Sequence, residues 1–359
     1  MWMRWSAAMS RALYGPHGFF VSGAGPAGHF RTSATASPVL ARAVARLLAR
    51  VDEALGRPDR LDLVDVGAGR GELITGVLAA APPALRTRVR AVAVELAPRP
   101  AFLPSEIDWR HSPPHRITGL LIATEWLDNV PLDVVVGDRY VEVEPPTGEE
   151  HLGGPTEPAD AAWLDRWWPP LLCSHGRITG SDPTGDAPMA AEQDGPVAAE
   201  ARREVGRSRD EAWAGAVGAV ERGLAVAVDY GHLRDDRPFD GTLTGYVQGR
   251  QVTPVPDGTR DVTAHVAMDS VAVAGSAVAG RPYQLMSQRQ ALRALGADGG
   301  RPPIRLASTD PAGYVRALAA ASAAAELTAR GGLGDHWWLV QPVGIDGWAW
   351  DDGGYVGSP

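Results

Sequence analysis

The 359-residue chain holds one cysteine, Cys173, and no lysine; all 34 of its lysine-plus-arginine positions are arginine. A lone cysteine excludes an internal disulfide and a cysteine-rich zinc site, and it suits a reducing, cytoplasmic compartment. Long apolar runs are also missing. None approaches the ~20 residues of a membrane helix, and the first ten residues lack the apolar stretch of a secretory signal. The expectation is a soluble intracellular protein without a membrane partner. Excess positive charge is absent too. The formal net charge is −9, which speaks against a phosphate-backbone ligand, hence against nucleic acid, and favours a basic partner. The arginine and alanine richness reads as coding bias rather than function.

The apolar residues that are present have periodicity. Val39, Leu40, Val44, Leu47, Leu48 and Val51 recur at helical spacing, predicting a helix from Pro38 to Leu55 capped by the Thr32–Ser37 stretch. Leu61–Val66, Arg90–Leu96 and Gly119–Ala123 read as buried strands, with a helix from about Glu72 to Ala80 between the first two. Gly223–Tyr230 and Trp337–Val340 are further strands, Asp310–Ala329 is an alanine-rich helix, and Val134–Val143 alternates like a hairpin. Ala198–Arg222 reads as a helix. The Gly- and aromatic-rich first thirty residues read as an irregular packed segment. Residues 147–197 are rich in Pro, Gly and acids and look like an insertion anchored through Trp163, Trp167 and Trp168. Strands alternating with helices point to an α/β fold on a mostly parallel sheet built from βαβ units.

Four segments carry chemistry. Asp65-Val-Gly67-Ala68-Gly69-Arg-Gly71 joins a strand to a helix; glycines there let the backbone approach a ligand closely, and the helix start offers free N–H groups. The plain alternative is a tight turn with no ligand. Glu95, at the end of the next strand, can accept hydrogen bonds from both ribose hydroxyls of a nucleoside cofactor, or can be a solvated strand-end acid. Glu125 and Asp128, in Thr124-Glu-Trp-Leu-Asp-Asn-Val-Pro131, lie beyond a strand's carboxyl end, where ligands of parallel sheets bind. Two acids there can hold a guanidinium, although Asp128 can equally cap a turn. His265, in Asp261-Val-Thr-Ala-His-Val266, is either a base or substrate contact or a structural histidine, and Asp261 and Thr263 can be loop hydrogen-bonders.

Taken in order, these segments resemble the MidA-like S-adenosylmethionine (SAM)-dependent methyltransferases, from about Tyr14 to Val343. His29-Phe-Arg-Thr-Ser33 resembles that family's lid motif, Asp65–Leu73 its glycine loop, Glu95 its ribose-binding acid, and Glu125–Pro131 its acidic loop. Asp229-Tyr-Gly231, Gly241-Thr-Leu243 with Tyr246, and Asp261–Val266 follow in register. The chain departs from the pattern at His29, Ala34-Thr35, Thr124 and Trp126-Leu127, and the family's Gln-x-x-Phe-Leu element is reduced to Gln284-Leu-Met286.

The resemblance implies a Rossmann-like α/β fold with a mostly parallel seven-stranded sheet, helices on both faces and added helical and loop insertions. It implies SAM held by Asp65, Gly67, Ala68, Gly69, Gly71, Glu95 and Glu125 under a lid of Phe30, Thr32 and Ser33. It implies an acceptor pocket with Glu125, Asp128 and His265 as catalytic residues, and no metal. The expected organisation is a lid and helical segment (1–60), a first half of the core (61–145), an insertion with a helix (146–222), a second half (223–345, with a substrate-covering insertion at about 232–310) and a tail (346–359). The acceptor implied is a protein side chain, arginine first. A small-molecule acceptor, or an inactive SAM-binding assembly factor, stays open, and a homodimer is compatible. A nicotinamide oxidoreductase would use the same loop and Glu95, but the sequence carries no motif for a second nucleotide half.

Overall fold

The computed structural model describes residues 1–22, 38–170, 201–297 and 299–350, and the backbone of 355–357. Its centre is an eight-stranded sheet, whose strands are numbered here in chain order: β1 (Leu61–Val66), β2 (Val89–Val94), β3 (Asp108–Arg110), β4 (Ile117–Thr124), β5 (Val220–Asp229), β6 (Tyr283–Ser287), β7 (Trp337–Val343) and β8 (Tyr355–Gly357). The order across the sheet is β8-β6-β7-β5-β4-β1-β2-β3. Strands β1 to β5 pair in parallel, whereas β7 runs antiparallel to both β5 and β6. The short β3 has no sequence signal, because all three of its residues are half-buried rather than apolar and enclosed. Strand β8 adds an edge to the seven strands expected.

The apolar runs of β1, β4 and β5 are continuous because both faces of these strands are covered. One face packs on helices Pro38–Ala54, Glu72–Ala80, Gln288–Ala294 and Pro311–Leu327. The other packs on helices Arg207–Gly218 and Met268–Ala279.

Two expectations are corrected. The N-terminal segment is not irregular throughout: Met3–Arg4 is a strand paired with Glu142–Val143, and Trp5–Tyr14 is a helix burying Trp5, Ala8, Met9, Ala12 and Leu13. That i, i+3, i+4, i+7, i+8 stripe is helical, and the glycines after it obscured it. Ala198–Arg222 is not one helix either. Arg202–Val205 is a strand paired with Asp133–Val136, Gly206 ends it, and the helix runs only from Arg207 to Gly218. Asp133–Val136 and Arg139–Val143 form the expected hairpin. Within the inserted stretch, Glu150–Pro155 pairs with that hairpin, and helix Pro158–Trp167 anchors on Trp163 and Trp168, both buried. Among the described residues no helix is long and apolar enough to cross a membrane.

Candidate active site

Sheet order reverses between β1 and β4, so the loops after these strands diverge and leave a crevice at their carboxyl ends. The loop after β1 is shaped by glycine. Gly67 (φ 70°) and Gly69 (φ 56°) both sit in the left-handed region. A Cβ on Gly67 would lie 2.9 Å from Trp126, so this loop packs directly on the one after β4. A Cβ on Gly69 would meet no atom within 4 Å: it points into open space.

That space is a cavity of about 380 Å³, lined among others by Gly67, Gly69, Glu95, His111, Glu125 and Trp126, and its size lies within the ~300–1,000 Å³ of small-molecule sites. Glu95 closes one end. Its Oε2 accepts from the Gly69 N–H at 3.0 Å, and its Oε1 from the N–H groups of Leu96 (2.7 Å) and Ala97 (3.2 Å). The N-terminal helix contributes Ser10 and Tyr14 to the opposite wall, with Phe20 beyond it. The Tyr14 hydroxyl donates to the Asn129 carbonyl at 3.2 Å. Neither Ser10 nor Phe20 carries a motif, and their placement depends on pairing between residues 3–4 and 142–143.

Asp65 lies beneath the loop, 1% exposed. Burial pushes its pKa up to about 7 against a weak pull from the Ile74 N–H. Since this value lies above the ~3.9 of an unfolded aspartate, the folded chain carries the extra proton between those two values. The resulting stability is complete below about pH 4 and lost as pH rises through about 7; at ~1.4 kcal/mol per unit it is on the order of a few kcal/mol at most. An Asp65→Asn protein is therefore expected to lose less melting temperature between pH 4 and pH 8 than the parent. Parallel curves for the two proteins would mean that Asp65 titrates normally in the folded state.

A second cavity, about 630 Å³, opens beyond β4 and β5 and meets the first at Glu125 and Asn129, which line both. Its acids are Glu125, Asp128, Asp261 and Asp335; its rings are Tyr230, Tyr246, His265 and His336. Among the described residues no arginine lines it. Glu125 follows β4 directly at φ 49°, an uncommon conformation for a non-glycine residue, and its N–H donates to the Val228 carbonyl of β5 at 2.8 Å.

Asp128 does not cap a turn with its side chain. Its Oδ2 accepts from the hydroxyls of Tyr230 and Thr263, the latter at 2.8 Å, while its Oδ1 is buried without a partner among the described residues. Desolvation raises the pKa of Asp128 and of its neighbour Asp229, whose carboxylate accepts from the N–H groups of Leu127, Asp128 and Tyr230. Burial also pushes Asp261 up to about 8, although its Oδ1 accepts from the Asn129 amide at 2.7 Å. The same desolvation pushes His336 down to about 4 and lowers His265, so both imidazoles are neutral at neutral pH. The His265 ring meets Tyr230 edge-on at 5.1 Å.

Gly67, Gly69, Glu95, Glu125, Asp128 and His265 thus line two adjoining cavities, while Asp65 is buried beneath the glycine loop and lines neither. Ala68 is buried in the glycine loop, and Gly71 starts the following helix. Phe30, Thr32 and Ser33 lie outside the described residues. Among the described residues no cluster of acids, histidines or cysteines could hold a metal. Asp335 and His336, which carry no sequence signal, reach the second cavity from a late segment, and Tyr246, matched in sequence without a role, reaches it from another.

A 3-2-1-4-5-7-6 strand order with a glycine loop after β1 is the Rossmann-like methyltransferase class of α/β fold. Two crystal structures from Burkholderia thailandensis share it, each 23% identical to this chain. One, of a protein bound to S-adenosyl-homocysteine, covers 99% of this chain and 92% of its own, with a TM-score of 0.75. The other, a native structure of an uncharacterised protein, covers 99% and 91%, with a TM-score of 0.71. No curated protein matches the sequence. Residues 43–285 match the family described as "Putative S-adenosyl-L-methionine-dependent methyltransferase". The chain belongs to that family, in agreement with the MidA-like resemblance, and is a SAM-dependent methyltransferase.

Proposed function

We propose that this enzyme methylates a cationic nitrogen, an arginine guanidinium of a protein, in the cytoplasm. The observation that carries the reading is the Asp128 Oδ1. It is a buried carboxyl oxygen with no hydrogen-bond partner among the described residues, on the wall of an acid-lined cavity that adjoins the glycine-loop cavity at Glu125. A buried oxygen that lacks a donor costs free energy unless a ligand supplies one. The missing donor is then a guanidinium N–H.

The residues of the first cavity fit SAM. The open space over Gly69 accommodates a ligand backbone, Glu95 suits the ribose hydroxyls, and Asp65, Gly67, Ala68 and Gly71 form the loop around the rest. In this reading Phe30, Thr32 and Ser33 cover it. When bound, SAM supplies a methyl group on a sulfonium. Glu125 and Asp128 hold the acceptor nitrogen in line at the junction, where near-attack geometry lowers the barrier most. Transfer would break the methyl–sulfur bond, leave S-adenosyl-homocysteine, and require the acceptor nitrogen to shed one proton. The Asp128 carboxylate is suited to take it, because burial raises its affinity for a proton. Neutral His265 and Tyr230 wall the acceptor without opposing its charge.

The 630 Å³ cavity would also hold a whole small molecule, which keeps a small-molecule acceptor as the second reading. Incubating the enzyme with methyl-tritiated SAM and a cell extract separates the two. Label in precipitated protein, released as methylarginine on hydrolysis, is the expected result. Label confined to the soluble fraction would favour the small molecule. No label, with S-adenosyl-homocysteine still bound, would favour a SAM-binding assembly factor.

A further inference from the structure

We propose that Arg209 is a positioning residue for the acceptor pocket, a role that rests on the acceptor reading above. Its side chain is 1% exposed, yet among the described residues no carboxylate lies within ion-pair distance of it. A buried guanidinium is costly unless its donors are satisfied, and ordinarily a carboxylate does this. Here backbone carbonyls do. Nε donates to Val130 at 3.1 Å, Nη1 to both Ala264 and His265 at 2.9 Å, and Nη2 to Asp128 at 2.5 Å. Four carbonyls from two segments therefore converge on one side chain. These segments carry Asp128 on one side and Thr263 and His265 on the other. They are otherwise joined by one backbone bond, Ala264 N–H to the Asp128 carbonyl at 3.2 Å, and by the Asp128–Thr263 and Asn129–Asp261 side-chain pairs with their neighbours.

The planar fork explains why the residue is arginine. Only a guanidinium can present donors on several sides in one plane; a lysine ammonium keeps the charge but cannot span the same acceptors. The adjoining residues extend the clamp. Ser208 Oγ donates to the Pro131 carbonyl at 2.6 Å. Buried Glu204 accepts from the N–H groups of Thr242 and Leu243 and from the Thr242 hydroxyl, and that same hydroxyl oxygen accepts from the His265 N–H at 2.8 Å. None of these hydrogen bonds reaches the glycine loop, although Val130 and Pro131, which the clamp holds, also line the first cavity.

The test compares the parent with Arg209→Lys and Arg209→Gln by three readouts: S-adenosyl-homocysteine affinity, affinity for arginine methyl ester with S-adenosyl-homocysteine present, and amide hydrogen exchange. In both variants cofactor-product affinity is expected to stay within about twofold. Arginine methyl ester affinity is expected to fall about tenfold or more, and exchange at Ala264 and His265 to accelerate about tenfold, while Val66–Glu72 exchanges as before. Full ester affinity in Arg209→Lys would overturn the positioning role in favour of charge alone. Unchanged exchange at Ala264 and His265, or acceleration spread equally over the chain, would overturn it as well. If the parent binds no ester, the arginine reading fails by itself, and the exchange comparison still decides whether Arg209 clamps the two segments.

Discussion

A Gly69→Val protein is expected to fold and to bind S-adenosyl-homocysteine about a hundredfold or more weakly, a loss of ~2.7 kcal/mol. Two effects add. The backbone at Gly69 has φ 56°, where a side chain costs about 1–2 kcal/mol and a β-branched one more. The new side chain would also project into the cavity itself, since nothing else lies within 4 Å of the Cβ position. Gly69 separates binding from folding in a way that Gly67 cannot: a side chain at Gly67 would strike Trp126 and disturb the loop packing first. Calorimetry gives the affinity, and a denaturant melt gives the stability. Parent-like affinity in Gly69→Val would place the ligand away from this loop.

The second large effect is expected at Asp128. Asparagine has nearly the same shape, and its amide oxygen can still accept from Tyr230 and Thr263, so the pocket survives. What disappears is the charge facing the acceptor. Losing one partner of a buried charged pair costs ~2–5 kcal/mol, so methyl transfer to labelled protein is expected to fall by at least about thirtyfold in Asp128→Asn. Stability should move the other way. Desolvation raises the Asp128 pKa, so ionising it at pH 8 opposes folding, and the uncharged amide avoids that cost. A variant that is slower yet melts no lower identifies a functional charge. Unchanged turnover would remove Asp128 from the reaction and leave Glu125 as the acid at the junction.

The cofactor half of the site was more legible in the sequence than the acceptor half, for physical reasons. Strands β1, β2, β4 and β5 are enclosed on both faces, so they appear as short apolar runs, and a glycine cluster after the first of them marks the point where backbone meets ligand. Such signals are local. The second cavity is assembled from Glu125 and Asp128, Tyr230, Tyr246, Asp261 and His265, and Asp335 and His336, residues spread over more than half the chain. No window of sequence contains that juxtaposition. Strand Arg202–Val205 was hidden for a different reason. It buries Arg203 and Glu204, which break the apolar pattern, because each is satisfied by distant groups: the Gly137 and Trp168 carbonyls for the arginine, and the Thr242 and Leu243 backbone for the acid. The N-terminal helix was missed although its stripe was present, because the glycines that follow dominated the reading.

Glu125 and Asn129 belong to both cavities at once, and Asn129 additionally ties the N-terminal helix, through Tyr14, to Asp261 across the junction. Two ligands that share a wall cannot be thermodynamically independent unless that wall is rigid. Any shift of Asn129 that the first occupant induces alters the free energy of the second, and linkage makes the effect equal in both directions. The junction therefore couples the two occupancies as well as fixing a geometry: whichever ligand pulls Asn129 toward its shared position lowers the cost of seating the other.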